Sequence, residues 1–370
     1  MIAIYRKYRP KVLADLIGQD DITETLKNAA RLNKIGHSYL FFGPRGTGKT
    51  SAARLVAKTL NCLTRTTDNK FHKEGEPCNR CTACEEIDKG HAIDVIEIDA
   101  ASNRGIDEMR NLKEHIALAP IRLLKKVFII DEAHMLTREA FNALLKTLEE
   151  PPLHTCFILA TTEREKIPAT IASRAQRFQF KKLPIVKIVE KLEKVVSAEN
   201  IKTSPHVLEL IAEAAEGSLR DAESLLDQVV AFEGSSIELR NVEHLLGKAS
   251  RNHIMKLTHL ILSSDISGVL RYLATLDEEG YNLTQLTKDL IHYLRKVLAV
   301  KVDPALLSLF RNEVSSDELK TIEEQSALVR EKQHIALIKS LIRAYSEMRY
   351  TPLTIVPLEV ALIENLKTNT

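Results

Sequence analysis

The sequence predicts an α/β fold, a parallel sheet with helices on both faces, followed by all-helical regions. Short apolar runs alternate with helical periodicity from about residue 38 to 180, as is typical of parallel sheets. A Gly-rich turn follows the first of these runs. From residue 184 onwards the periodicity is helical, interrupted by a turn-like stretch at 233–240.

Length, composition and charge restrict the class of protein. A chain of 370 residues exceeds one ordinary core and predicts two or three domains. Its 44% hydrophobic and 28% charged residues are typical of a globular protein. We expect a cytoplasmic protein with no membrane association, because no apolar run approaches the roughly 18 residues of a membrane span and the N-terminus lacks a signal-peptide core. A net charge of +2 argues against DNA binding by bulk charge but permits a local basic face.

The first predicted strand and the turn after it indicate a phosphate-binding site. An apolar run at Tyr39–Phe42 leads into a turn of the G-x-x-x-x-G-K-[ST] type and then an amphipathic helix. In such a turn, backbone N–H groups and the helix N-terminus surround phosphate oxygens. Lys49 is expected to reach the β- and γ-phosphates of ATP, and the Thr50 hydroxyl to bind Mg²⁺. The predicted nucleotide-binding residues of the turn are Gly43, Pro44, Arg45, Gly46, Thr47, Gly48, Lys49, Thr50 and Ser51.

A second predicted strand supplies carboxylates for the same site. Val127–Ile130 is a continuous apolar run, and Asp131 stands at its C-terminal end, where parallel sheets bind ligands. Asp131 is expected to hold Mg²⁺ through water, and Glu132 to polarise the attacking water. The alternative for an Asp-Glu pair after a strand is a helix N-cap. The presence of the phosphate-binding turn favours the catalytic interpretation.

Two further strands complete the predicted sheet region. The run at 155–162 ends in Thr162, which is positioned to sense the γ-phosphate or orient the water. A helix with Thr137 as its N-cap precedes it. Another strand, at 94–102, precedes a helix that starts near Ile106.

Three cysteines lie within the stretch "EPCNRCTACEE" at 76–86. In a reducing compartment such clustering indicates a metal rather than disulfides. Cys62 is the expected fourth ligand, with His72 and His91 as alternatives, and four thiolates favour a closed structural zinc site. An iron–sulfur cluster is the other possibility, although the usual downstream x₃-C-P is missing. Cys156 is expected to be a small buried hydrophobe. The candidate zinc ligands are Cys62, Cys78, Cys81 and Cys84.

Eight motifs stand in the order seen in AAA+ clamp-loader ATPases. They are "YRKYRP", "IGQD", "GPRGTGKT", "IIDEAHML", "NALLKTLEEPP", "LATT", "IASRAQRF" and "GSLRDAESLLDQ". The chain resembles this family densely over about residues 4–245 and loosely beyond. The cysteine cluster between the phosphate-binding turn and the "IEIDAAS" strand narrows the resemblance to the gamma/tau branch found in bacterial DNA polymerase III.

The resemblance implies further site residues. Thr162 matches the first sensor, and Arg220 matches a second sensor that acts on its own subunit's ATP from a helical lid. Arg174 matches the arginine finger that reaches a neighbour's ATP, where its permanently charged fork suits γ-phosphate oxygens. Ala175 departs from the cysteine usual at the next position. The implied adenine-pocket wall consists of Tyr8, Arg9, Pro10, Ile17 and Gly18.

The resemblance also implies a domain organisation and a function. It implies an AAA+ P-loop ATPase domain over 1–180 with a zinc module at about 62–84, a helical lid over 181–240, and a helical collar over 241–370. The expected function is that of an ATP-dependent motor subunit, using ATP, Mg²⁺ and Zn²⁺, that opens a sliding clamp and loads it onto primed DNA within the DNA polymerase III holoenzyme. The long tail of the tau form is absent, so a short gamma-like product or a truncated chain is expected.

The expected partners are other clamp-loader subunits in a hetero-oligomeric ring, the sliding clamp, and primer–template DNA held through its phosphate backbone. Arg104 and Arg138, each near a predicted helix start, are candidate phosphate contacts, with ordinary solvated arginines as the equal alternative. Three other functions are alternatives: a non-hydrolysing clamp-loader stator, an AAA+ branch-migration helicase motor, and an iron–sulfur redox protein. The intact catalytic motifs, the cysteine insertion and the helical C-terminal region disfavour them.

Overall fold

The computed structural model describes residues 3–102, 115–245, 251–310 and 316–367. The chain forms two compact units, Met1–Ser236 and Ile237–Thr370. The helix predicted near Ile106, and Arg104 with it, lie outside the described residues. The domain limits at 180 and 240 remain predictions.

A five-stranded sheet, ordered β2-β3-β4-β1-β5, organises the first unit, and every pairing in it is parallel. The predicted parallel sheet is therefore confirmed. The three central strands are almost entirely buried, which accounts for their unbroken apolar sequences. The strands are β1 (Ser38–Phe42), β2 (Val95–Asp99), β3 (Lys126–Asp131), β4 (Thr155–Thr161) and β5 (Gln176–Gln179).

Two hydrophobic cores cover the opposite faces of this sheet. Alternate residues of each central strand belong to different cores, as strand geometry requires: Phe41 and Ile129 pack in one core, Phe128 and Leu159 in the other. The helices of the first unit are α1 (Ile4–Lys7), α2 (Asp20–Arg31), α3 (Lys49–Asn61), α4 (Leu63–Thr67), α5 (Asn69–Glu74), α6 (Thr82–Asp88), α7 (Arg138–Glu149), α8 (Ala169–Ala172), α9 (Ile185–Ala198), α10 (Pro205–Ala214) and α11 (Leu219–Glu233).

Local capping explains where two helices of this unit begin. Thr137 precedes α7, and its hydroxyl accepts a hydrogen bond from the backbone N–H of Ala140 at 3.2 Å, so the predicted N-cap is confirmed. Ser218 caps α11 in the same way through the N–H of Asp221. The helical periodicity predicted between residue 184 and the turn-like stretch at 233–240 corresponds to α9, α10 and α11.

The described residues of the second unit contain helices but no strand. Its core consists mainly of Leu, Ile and Val side chains, such as Leu257, Leu290 and Leu341. The predicted all-helical region is therefore confirmed. No helix in the described ranges is both long and apolar enough to cross a membrane. The helices are α12 (Leu239–Leu245), α13 (Arg251–Leu262), α14 (Ile266–Glu278), α15 (Leu283–Val302), α16 (Leu307–Phe310), α17 (Ser316–Ala327), α18 (Glu331–Glu347) and α19 (Ile355–Leu366).

Candidate nucleotide and zinc sites

The phosphate-binding turn joins the end of β1 to the start of α3. Gly48 immediately precedes α3 with φ of +101°, and Gly46 has φ of +71°, a region that L side chains rarely adopt. A Cβ on Gly46 would lie 1.8 Å from the Ser218 hydroxyl oxygen at the start of α11. The backbone N–H of Leu219 donates to the Gly46 carbonyl at 3.1 Å. The turn therefore touches the helix that carries Arg220.

Lys49 projects back into the turn that precedes it. Its ammonium Nζ donates to the carbonyl oxygens of Gly43 at 2.8 Å and Pro44 at 2.7 Å. Burial lowers the pKa of Lys49, while the carboxylates of Asp131 and Glu132 oppose that change. The cation is thus held inside the turn, where a phosphate group would be bound.

Thr50 and Asp131 meet at the C-terminal edge of the sheet. The Thr50 hydroxyl donates to Asp131 Oδ2 at 2.7 Å. This contact exists because α3 starts directly after β1, and β3 ends at the same edge, with only β4 between them. A hydroxyl and a carboxylate are oxygen ligands of the type that Mg²⁺ prefers, so the pair fits the predicted ion.

Glu132 has an unusual backbone conformation for a residue with a side chain. Its φ and ψ are 46° and 43°, in the left-handed region, which costs on the order of 1–3 kcal/mol and is concentrated at functional sites. Its carboxylate accepts a hydrogen bond from the Thr162 hydroxyl at 3.1 Å. The N-cap alternative is not supported, because Glu132 makes no side-chain capping bond to the short helix Ala133–Met135.

His134 was missed in the sequence although it belongs to the same motif as Asp131 and Glu132. Its imidazole Nδ1 lies 3.0 Å from the Thr161 hydroxyl and 3.4 Å from Glu132 Oε2, and Nε2 lies 3.2 Å from Glu163 Oε1. The side chain is only 7% exposed. The available signal was its position two residues after Glu132. His134 therefore links the ends of β3 and β4 behind the candidate general base.

A cavity of about 920 Å³ opens beside the phosphate-binding turn. Among the predicted adenine-pocket residues, Arg9, Pro10 and Ile17 line it. Tyr8 does not; its hydroxyl instead donates to Glu199 Oε1 at 2.7 Å. Tyr5 lines the cavity and was not expected from the sequence.

The two arginines implied by the resemblance occupy different surroundings. Arg220, the second residue of α11, lines the cavity. Its guanidinium lies 5.1 Å from the ring centre of Tyr5, within cation–π range. Arg174 lies outside the cavity. It forms an ion pair with Glu149 of α7 and donates to the Thr170 carbonyl at 2.7 Å. Arg174 therefore does not line the candidate nucleotide cavity of its own chain, and its role as an arginine finger stays a prediction.

A second cavity, of about 1060 Å³, lies on the side of the sheet domain that carries α7 and α8. Arg138 lines it in the first turn of α7, together with three further basic residues and one acidic residue, Glu165. The other basic residues are Arg164, Lys166 and Arg177. The phosphate contact predicted for Arg138 stays a prediction, and its surroundings are basic.

Four cysteines come together between α3 and α6. The sulfur atoms of Cys62, Cys78, Cys81 and Cys84 all lie within 4.8 Å of one another. Cys62 directly follows α3, and Cys81 is the N-cap residue of α6. Neither His72 nor His91 belongs to the group among the described residues. His72 instead faces the Asn33 side chain at 3.0 Å.

Hydrogen bonds lower the pKa of Cys62 and Cys78 and so favour their thiolate forms, whereas the hydrogen bond to Cys62 and burial raise the pKa of Cys84. A hydrogen bond from the Cys84 thiol, aided by the backbone N–H of Cys78 at 3.3 Å, lowers the pKa of Cys62 to about 4. Cys78 Sγ accepts from the Thr64 hydroxyl at 3.1 Å and from the Cys81 N–H at 3.3 Å. Four convergent sulfurs fit tetrahedral Zn²⁺ in a closed structural site. Cys156 lies apart, in β4, where burial raises the pKa of its thiol to about 12.

Three family models match successive parts of the chain. The model described as "DNA polymerase III, delta subunit" matches residues 18–184. The model described as "DNA polymerase III clamp loader subunit, ATPase lid domain" matches 187–235. The model described as "DNA polymerase III subunits gamma and tau domain III" matches 237–368.

Curated relatives align over nearly the whole chain. The tau subunit of DNA polymerase III from Bacillus subtilis is 43% identical over 99% of this chain, and that of Escherichia coli is 37% identical over 98%. The chain spans 63% and 54% of the lengths of these two proteins. The gamma subunit from Buchnera aphidicola subsp. Schizaphis graminum is 36% identical over 97% of this chain and 96% of its own length.

Proposed function

The chain belongs to the DNA polymerase III gamma/tau subunit family, and we propose that it is an ATP-dependent motor subunit of a clamp loader. In this proposal, ATP binding and hydrolysis drive the opening of a sliding clamp and its loading onto primed DNA. The observation that carries the proposal is one sheet edge that combines the Lys49 ammonium, the Thr50–Asp131 pair and the Glu132 carboxylate. A clamp-loader stator that does not hydrolyse ATP would not need all of these phosphate-binding, Mg²⁺-binding and catalytic groups.

Each residue at this edge has a definite task in the proposed hydrolysis. The N–H groups of the turn and Lys49 bind the β- and γ-phosphates. Thr50 and Asp131 hold Mg²⁺, which when bound neutralises charge on these phosphates. Glu132 orients the attacking water and accepts its proton, while the hydrogen bond from Thr162 fixes the carboxylate.

The lid residue Arg220 is proposed to report nucleotide binding to α11. At the start of α11, the backbone N–H of Leu219 donates a hydrogen bond to the carbonyl of Gly46 in the turn. A phosphate bound in the turn would therefore lie near the guanidinium of Arg220 on this helix. Attraction between them would favour the closed arrangement of turn and lid. This gives the bound nucleotide a means of changing the lid conformation.

The proposed partners are other clamp-loader subunits in a ring, the sliding clamp, and primer–template DNA. DNA contact is proposed through phosphates, with the basic cavity around Arg138 as one contact.

The second unit is proposed to be the collar that joins subunits, and the protein is proposed to work in the cytoplasm. Zinc at the four cysteines is proposed to be structural.

We expect Lys49→Ala to abolish the ATPase activity that the purified chain shows with clamp, stator partners and primed DNA. The reason is that the cation held against the turn carbonyls is then lost, at a cost of about 100-fold or more in rate. Steady-state phosphate release is the measurement, and Lys194→Ala, on the exposed side of α9, is the matched control. A motor role is contradicted if the mixture gives no stimulation, or if Lys49→Ala hydrolyses ATP normally.

Arg174→Ala should abolish hydrolysis in the assembled ring while leaving ATP binding by the isolated chain unchanged. Arg174 is tied to Glu149 on its own surface, away from its own cavity, so its loss should affect only a neighbouring active site. Nucleotide affinity of the isolated chain and stimulated hydrolysis of the ring are the two measurements. Arg122→Ala is the matched control, because Arg122 is also an exposed arginine in an ion pair, with Glu86, and lines neither cavity. A loss of ATP binding by isolated Arg174→Ala would refute action in trans.

A further inference from the structure

Glu223 on α11 is a buried acid that none of the steps above uses. Its side chain lines the nucleotide cavity, although the residue is only 5% exposed. Among the residues that the structure describes, none donates a hydrogen bond to its oxygen Oε1. A buried carboxylate oxygen without a donor is costly, because the hydration it loses is not replaced. A ligand in the cavity that supplied a donor would remove this cost.

The charged groups around Glu223 are engaged elsewhere. Lys191 of α9 donates to the Tyr8 carbonyl at 3.2 Å, and Asp227, on the next turn of α11, accepts from the Ile4 N–H at 2.7 Å. Burial raises the pKa of Glu223 to about 7; the Lys191 charge opposes this rise and the Asp227 charge adds to it. The described residues thus leave the acceptor oxygen Oε1 of Glu223 at the cavity wall without a hydrogen-bond donor.

The position of Glu223 on α11 indicates which part of a nucleotide it faces. Leu219, four residues earlier on the same helix face, bonds through its N–H to the phosphate-binding turn. Glu223 lies one turn further along, roughly 6 Å of helix rise away from that contact. The apolar side chains of Ile17, Leu183 and Leu219 line the cavity with it. Charged side chains such as Arg220 line the same cavity. Apolar side chains combined with a few placed polar groups are the usual arrangement for orienting a flat ligand.

We propose that Glu223 reads the purine base, accepting a hydrogen bond from the 6-amino group of adenine. This rests on the ATP site proposed above. A purine with a 6-oxo group would instead bring an acceptor against the carboxylate oxygen, so the site would reject it. Glu223 is therefore a specificity-determining residue and takes no part in the chemical step.

The test is equilibrium binding of ADP, IDP and 2′-deoxy-ADP to the full chain by calorimetry. At pH 8, above the pKa of about 7, the carboxylate can only accept hydrogen bonds. We expect the wild type to prefer ADP to IDP, and Glu223→Leu to lower that preference about tenfold by weakening ADP, the loss of one hydrogen bond to a charged group. Glu223→Gln should lower it by strengthening IDP, because its amide can donate to the 6-oxo group. Glu193→Leu, an exposed acid on α9, should change nothing.

Each contrary result has a distinct meaning. A wild type that binds no ADP overturns the proposed ATP site itself. A wild type that binds ADP, with the same ADP-to-IDP preference in Glu223→Leu, overturns only the base-reading role. A change confined to the ratio between ADP and 2′-deoxy-ADP would assign Glu223 to the ribose and equally overturn it. Thermal unfolding of each variant establishes that the fold is intact, and the isosteric Gln variant remains informative if Leu disturbs it.

Discussion

Replacing Glu132 by Gln should slow ATP hydrolysis by about 10²–10⁴-fold, the contribution typical of a positioned general base. Gln keeps the shape of the side chain and can still accept the 3.1 Å hydrogen bond from Thr162. It cannot take a proton from water. The left-handed backbone at Glu132 fixes where the side chain begins, so the substitution should remove the chemistry and leave the geometry. ATP affinity should therefore change by less than about threefold, a free-energy change well below the 1.4 kcal/mol that a tenfold effect requires.

Single-turnover hydrolysis in the mixture with clamp, partner subunits and primed DNA would measure the chemical step separately from product release. Glu139→Gln is the matched control, since Glu139 is an exposed acid on α7 and should retain the full rate. Rapid hydrolysis by Glu132→Gln would show that another group accepts the proton. His134 would then be the first candidate, because its Nδ1 is 3.4 Å from the same carboxylate.

The parts of the site that the sequence predicted are those set by short-range spacing. The turn around Lys49 and the carboxylates that follow β3 each sit in a strand–turn–helix or strand-end context that is visible locally. The Thr50–Asp131 contact then follows from parallel strands ending at one edge. The order of the strands was not predicted, because pairings such as that of β1 with β4 depend on contacts distant in sequence.

The N-terminal segment illustrates what spacing could not determine. Tyr5 and Tyr8 belong to the same short segment, yet Tyr5 lines the cavity and Tyr8 bonds to Glu199. Which of two tyrosines faces a ligand depends on how α1 packs, and α1 packs against α11, more than 200 residues later. The sequence did not predict the partner of Arg174 either, because Glu149 is 25 residues away in the chain, on α7. Tertiary contacts of this kind leave no periodic signal.

Cys81→Ser should remove about one zinc per chain and unfold the segment around α4, α5 and α6. These helices have 5, 6 and 7 residues, too short to be stable alone. Their arrangement then depends on the ion, since structural zinc contributes about 10–16 kcal/mol to folding in small zinc domains, and the loss of one of four ligands removes a large share of it. The sheet has its own two cores, so the chain should still bind ATP.

Metal analysis of the purified protein and limited proteolysis with and without a chelator would measure both effects. Cys156→Ala is the matched control, because this buried cysteine lies in β4, outside the cluster, and should leave the zinc content unchanged. An iron–sulfur absorption band in the wild type would refute zinc directly. Retained zinc in Cys81→Ser would mean that three thiolates suffice. We expect chelation to restrict cleavage to about residues 62–84 and to leave ATP binding intact. This result would show that the four cysteines form a structural zinc site that is separate from the ATPase chemistry.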